Sequence, residues 1–159
     1  EFWNSYVIVG GAGATLGLTI FLAFFARSEQ LKALGKTTIV PAFFNINEPI
    51  IFGVPMIYNP SMFIPFIGAP MVAATIGYFG TKLGFVNNII AQSPWPMPVG
   101  IAAYIGTTDW RAIILAVICV VAAFAVYYPF ITKYDKALFV EEQEREAAAE
   151  GDDDDFFSF

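Results

Sequence analysis

Between Lys36 and Lys82 the chain carries one charged side chain, Glu48, inside FNINEP at positions 44–49. A carboxylate at the centre of a bilayer costs roughly 2.5–3.5 kcal/mol on insertion scales, so something must offset it. Pro49 suits the first position of a helix, which makes Glu48 the N-cap of that helix. The positive end of the helix dipole then favours an anion there. Asn45 and Asn47 offer amide donors and acceptors beside it. Carboxylate and amides together suit the hydroxyls of a polyhydroxylated solute, whose apolar face needs an aromatic platform. Trp95, held between Pro94 and Pro96, is the natural candidate. The bland readings are a structural helix cap for Glu48 and a membrane-interface indole for Trp95.

Other reactive groups are scarce. The sequence has no histidine, which removes the usual general base and the commonest metal ligand. Its single cysteine, Cys119, excludes an internal disulfide and a cysteine-based metal cluster. It reads as a packing residue among Ile, Val and Ala. No metal site and no cofactor are expected. Asp109 is placed to cap the last apolar segment, with Arg111 beside it. Tyr58 and Asn59 can reach a ligand, although Asn59-Pro60 equally describes a turn.

These residues need a membrane scaffold. Of 159 residues, 57% are hydrophobic and 14% charged, where a soluble domain has about 25% charged. The net charge of −6 is misleading, because ten of the 14 acidic residues lie at or beyond Asp135. No basic patch suggests nucleic acid. A bilayer crossing takes about 20 mainly apolar residues. Ser5–Ala26 and Ala112–Thr132 qualify cleanly, and Met62–Thr81 qualifies with kinks at Pro65 and Pro70. Glycines 10, 11, 13 and 17 in the first of these allow close helix packing.

Thr37–Asn59 and Gly84–Thr108 are interrupted by prolines and amides, and read as broken or re-entrant hairpins. Such breaks point to a transporter's binding site. Residues 26–36 read as an interfacial amphipathic helix, with Leu31 and Leu34 toward lipid. With Arg27, Lys32, Lys36, Lys133, Lys136 and Arg145 inside, the positive-inside bias is met and the two hairpins enter from opposite faces. The fold class is therefore all-α and polytopic: about three transmembrane helices, two re-entrant hairpins and an interfacial helix. Residues 139–159 read as an acidic cytoplasmic tail, a charged, alanine-rich helix from about Glu141 that dissolves into DDDD and is partly disordered.

PAFFNINEPIIFGVPMIYNP (41–60), IPFIGAP (64–70), PWPMP (94–98), TTDWRAIIL (107–115) and YYPF (127–130) resemble the membrane subunit, enzyme IIC, of the phosphoenolpyruvate-dependent sugar phosphotransferase system. The lactose/cellobiose/diacetylchitobiose group is the branch it resembles. The likeness runs from about Ser5 to Leu138, and PWPMP departs from the more usual PWTTPP-like form.

The resemblance implies a multi-pass protein of the bacterial inner membrane that binds a disaccharide and moves it by alternating access. A phosphocysteine on the soluble enzyme IIB, itself charged through enzyme IIA, would phosphorylate the sugar. The resemblance gives Glu48 a sugar hydroxyl to bind and a role in phosphoryl transfer, and gives Trp95 a place in the site wall. It also implies that residues 1–138 are the C-terminal, sugar-binding domain of a larger chain. The missing N-terminal half would supply a site histidine and a homodimer contact. Two other readings remain open on the residues alone: an ion-coupled secondary transporter using Glu48, and a membrane scaffold without transport.

Overall fold

The computed structural model describes residues 3–8, 11–56, 58–94 and 96–156. A π-helical turn, Trp3–Val7, is followed by α1 (Leu16–Phe24), α2 (Glu29–Phe43), α3 (Glu48–Gly53), α4 (Pro60–Lys82), α5 (Ile101–Thr107) and α6 (Arg111–Phe156). There is no strand among the described residues. The expected all-α class holds at that level.

Two helices are long and apolar enough to cross a membrane: α4, and α6 through Ala149. At 1.5 Å per residue, the 23 residues of α4 extend about 35 Å, against a hydrocarbon core of about 30 Å. The helices pack through small side chains. Ala69, Ala73 and Gly77 of α4 and Ala112, Ala116, Cys119 and Ala123 of α6 are all buried. Cys119 is the packing residue expected, its Sγ lying 3.7 Å from the Ala73 carbonyl. Outward faces are apolar instead: Met71, Phe79, Val117 and Val121 are each more than half exposed. Lipid is the solvent that tolerates such an arrangement.

Three expectations about elements change. Ser5–Ala26 is not one spanning helix. Gly11 (φ 98°), Gly13 (φ 83°) and Ala14 (φ 53°) adopt left-handed backbone, which interrupts the helix before α1 begins. The described residues thus hold two spanning candidates and not three. Gly17 does serve close packing, since a Cβ there would lie 2.6 Å from the Phe124 backbone nitrogen.

The expected interfacial helix at 26–36 and the start of the 37–59 segment join in a single helix, α2, with Pro41 in its last turn. Its Leu31 is buried and Leu34 packs on the same core, so neither faces lipid. Gly35 is the cause: a Cβ would meet the Ala23 nitrogen at 2.3 Å, so α2 lies directly against α1.

Third, the helix expected from about Glu141 is continuous with α6 and runs on through DDDD to Phe156. Alanine, glutamate, glutamine and arginine are strong helix formers, and an Arg145–Glu141 pair spans one turn.

Candidate functional site

FNINEP ends one helix and begins the next. The Ile46 N–H donates to the Pro41 carbonyl (2.9 Å) and the Asn45 N–H to that of Ala42 (3.1 Å), while Asn45 itself is left-handed at φ 61°. This is the Schellman closure, in which asparagine tolerates the conformation that other residues resist. Two residues later the Asn47 carbonyl accepts the Ile50 and Ile51 N–H groups, both at 3.0 Å, and α3 begins. Asn47 therefore holds the cap position, with Glu48 as the first helical residue and Pro49 behind it. The sequence expectation was off by one residue, because the Asn47 carbonyl opens the ladder.

The two asparagines sit differently from the carboxylate. Asn45 is 6% and Asn47 4% exposed. The Asn47 amide donates to the Ala12 carbonyl (2.6 Å) and to the Thr15 hydroxyl (2.9 Å). The Asn45 amide reaches the Met97 carbonyl at 3.5 Å. Both were expected to offer amides to a ligand; here their NH2 groups face protein, because the turn folds them inward. Glu48 is exposed, and its carboxylate makes no hydrogen bond or ion pair with a described residue.

Three interrupted segments meet at this turn. The 84–108 segment is irregular before its short helix, α5, and the Ile90 and Ala91 N–H groups donate to the Gly106 carbonyl. It touches the end of α2, where the Val99 N–H donates to the Phe43 carbonyl at 3.0 Å. The third segment is the break at 11–15, which sequence reasoning read as helix. Its Ala12 carbonyl is held by Asn47, and its Gly13 carbonyl accepts the buried Tyr127 hydroxyl of α6 at 2.6 Å. Gly11 also abuts Asn47 so closely that a Cβ would lie 2.3 Å from Cγ. The signal for this break was the run GGAGA at 10–14. Tyr127 reads in the sequence as a membrane-interface residue beside Tyr128, but it is fully buried here, because its hydroxyl reaches the Gly13 carbonyl.

Trp95 lies outside the described residues. Asp109 does cap the start of α6, its Oδ1 accepting the Arg111 N–H at 3.0 Å. Asn59 likewise caps α4 by accepting the Ser61 N–H at 3.1 Å, which favours its turn role. An apolar cavity of about 490 Å³ lies between the break and α4, lined by Ile8, Gly13, Phe66, Pro70 and Met71 among others. It offers no polar side chain and is not where a carboxylate and amides would hold a hydroxylated solute. No group of three potential metal ligands occurs among the described residues.

Comparison with known proteins gives a consistent set. Residues 1–70 match the family described as "Phosphotransferase system, EIIC". The chain is 40% identical over 148 residues to the lichenan permease IIC component of Bacillus subtilis, covering 92% of this chain and 33% of that protein. It is 36% identical to the cellobiose-specific EIIC component of Lactococcus lactis, over 84% of this chain and 27% of that protein. With the lactose-specific EIICB component of Lacticaseibacillus casei the identity is 40%, over 90% of this chain and 25% of that protein. The fold superposes on the crystal structure of the transporter ChbC, the IIC component from the N,N'-diacetylchitobiose-specific phosphotransferase system. The TM-score is 0.85 at 38% identity, over 89% of this chain and 33% of that one. The chain spans about a third or less of the length of these relatives.

Proposed function

Since the chain belongs to the EIIC family of the phosphotransferase system, we propose that it forms the sugar-binding part of a permease coupling disaccharide transport to phosphorylation. The supporting observation is Glu48: an exposed carboxylate with no partner among the described residues, at the meeting point of three broken segments. A buried structural cap would be satisfied by backbone N–H groups, and Glu48 is not.

In this reading the Glu48 carboxylate accepts a hydrogen bond from a sugar hydroxyl near the bilayer midplane, and Trp95 stacks on the sugar face. Asn45 and Asn47 hold the turn that aims Glu48, their amides spent on the second hairpin and on the break. When phosphorylated enzyme IIB docks, the hydroxyl oxygen attacks phosphorus and the P–S bond to the IIB cysteine breaks. The hydroxyl proton passes to Glu48, and the phosphoryl group ends on the sugar. The relatives' names support a disaccharide of the cellobiose, lactose or diacetylchitobiose type as cargo. The EIICB relative supports pairing with a IIB domain. The same reading makes the chain part of a multi-pass protein of the bacterial cell membrane, with the remaining site residues and a homodimer contact on sequence outside this chain.

The test is equilibrium binding of labelled cellobiose, lactose and diacetylchitobiose to the purified parent protein, wild type beside Glu48→Gln. Binding of one sugar, lost in a variant of unchanged thermal stability, is the expected result. Binding indifferent to the substitution would sink the site assignment. Phosphate on the accumulated sugar, dependent on enzyme IIB, separates group translocation from ion-coupled transport.

A further inference from the structure

Far from Glu48, where α1 ends and α2 begins, a second cavity of about 240 Å³ opens between α1 and α6. Its polar rim carries the side chains of Arg27 and Lys136, and neither makes an ion pair with a described residue. Asp135 also lines the cavity, and its one negative charge offsets one of the two cations. Asp135 is 3% exposed, and its two oxygens accept the backbone N–H groups of Arg27 (3.0 and 2.9 Å) and Ser28 (2.9 Å). The opening thus keeps a net positive lining, two exposed cations against one buried carboxylate whose oxygens are engaged by backbone N–H groups.

Much of the remaining lining is aromatic, from Phe21, Phe25 and Tyr128. Phe21, Phe25, Phe124 and Tyr128 form a connected cluster with ring centroids 5.8–6.2 Å apart, and Phe25 and Tyr128 are more than half exposed. Below Tyr128 the exposed Val121 and Val117 continue the same stripe of α6. Apolar stripe, aromatic ring level and basic rim follow one another along the helix. That is the order in which a bilayer presents acyl chain, interface and headgroup phosphate.

The geometry points to a specific site for an anionic phospholipid, its phosphate between Arg27 and Lys136 and an acyl chain along Tyr128, Val121 and Val117. A guanidinium matches two phosphate oxygens at once, and a lysine ammonium adds a point charge. A free phosphate would use the rim and leave the aromatic wall and apolar stripe without a role, which favours the lipid. The inference rests on the chain lying in a membrane, and not on the sugar assignment to Glu48.

The test is native mass spectrometry of the purified parent protein titrated with phosphatidylglycerol or phosphatidylcholine. The wild type should retain one phosphatidylglycerol in preference. R27Q/K136Q should retain about thirtyfold less, given the usual worth of two basic groups near an anionic surface. R27Q leaves the Asp135 clasp intact, because that clasp holds backbone, and unchanged thermal unfolding of the double variant confirms it. A control, K133Q/R145Q, removes two cations outside the cavity. An equal loss in the control would reduce the effect to general charge and overturn the site. Displacement by millimolar inorganic phosphate would make it a free-anion site and overturn the lipid. A photo-crosslinker at position 128 that captures another stretch of the parent protein, and not lipid, would show the cavity to be covered and overturn it too.

Discussion

At the scale of single residues, FNINEP divides its labour between side chains that look alike in sequence. Asn45 supplies a left-handed closure, Asn47 ties the turn to the break at 11–15, and Glu48 is left outward. Asn47→Ala leaves the Ala12 carbonyl and the Thr15 hydroxyl without this donor. It should cost about 1–3 kcal/mol of stability. Sugar affinity should fall with it, although Asn47 need not touch sugar, and thermal unfolding beside ligand binding checks both. Gly11→Ala should be worse than an ordinary glycine substitution: φ is 98° and the new methyl would overlap Asn47. The double variant Gly11→Ala/Asn47→Ala should recover part of the loss, since the overlap goes while the backbone strain stays. Full additivity of the two costs in unfolding measurements would show that the contact is unimportant.

At the scale of elements, α2 depends on α6 for its N-terminus. Asp135 takes the Arg27 and Ser28 N–H groups, and Glu142, two turns on, accepts the Ser28 hydroxyl (2.6 Å) and the N–H groups of Glu29 (3.1 Å) and Gln30 (3.2 Å). Together they satisfy the donors that every helix start leaves open. The Ser28 hydroxyl, then the Gln30 and Glu29 N–H groups and the Arg145 charge, hold the Glu142 carboxyl below its ordinary value. The unfolded chain therefore takes up the proton at higher pH than the folded one. The contact contributes fully above the ordinary glutamate range and is lost as pH falls through the lowered folded value. Amide exchange at Glu29, Gln30 and Leu31, corrected for intrinsic rate, should rise across that acid window in the wild type. Glu142→Gln should exchange faster and lose most of that pH dependence. Because α2 leads directly into the turn that carries Glu48, this clasp anchors the helix on which that turn is built.

At the scale of the whole molecule, the small-residue seam between α4 and α6 and the apolar outer faces describe a protein packed for lipid. Charge placement then sets a checkable arrangement. With Cys119 replaced by alanine, single cysteines at positions 27 and 133 should react with a membrane-impermeant thiol reagent from one side, and those at 82 and 111 from the other. Labelling of all four from the same side would overturn the two-sided entry of the hairpins.

The sequence by itself determined the class, the apolar lengths of α4 and α6, the interruptions at 37–59 and 84–108, and the isolation of Glu48. Hydropathy, proline and lone charge are local properties, and a bilayer or a proline ring acts on them wherever the chain goes. Only the tertiary structure decided that the first apolar run breaks. GGAGA permits either a tightly packed helix or a left-handed turn, and the choice falls to partners 32 and 114 residues away, Asn47 to Thr15 and Tyr127 to Gly13. The inward turn of both asparagines and the clasp of Asp135 and Glu142 on α2 have the same origin. An amide or carboxylate has no preferred face until a distant backbone group is brought within about 3 Å of it.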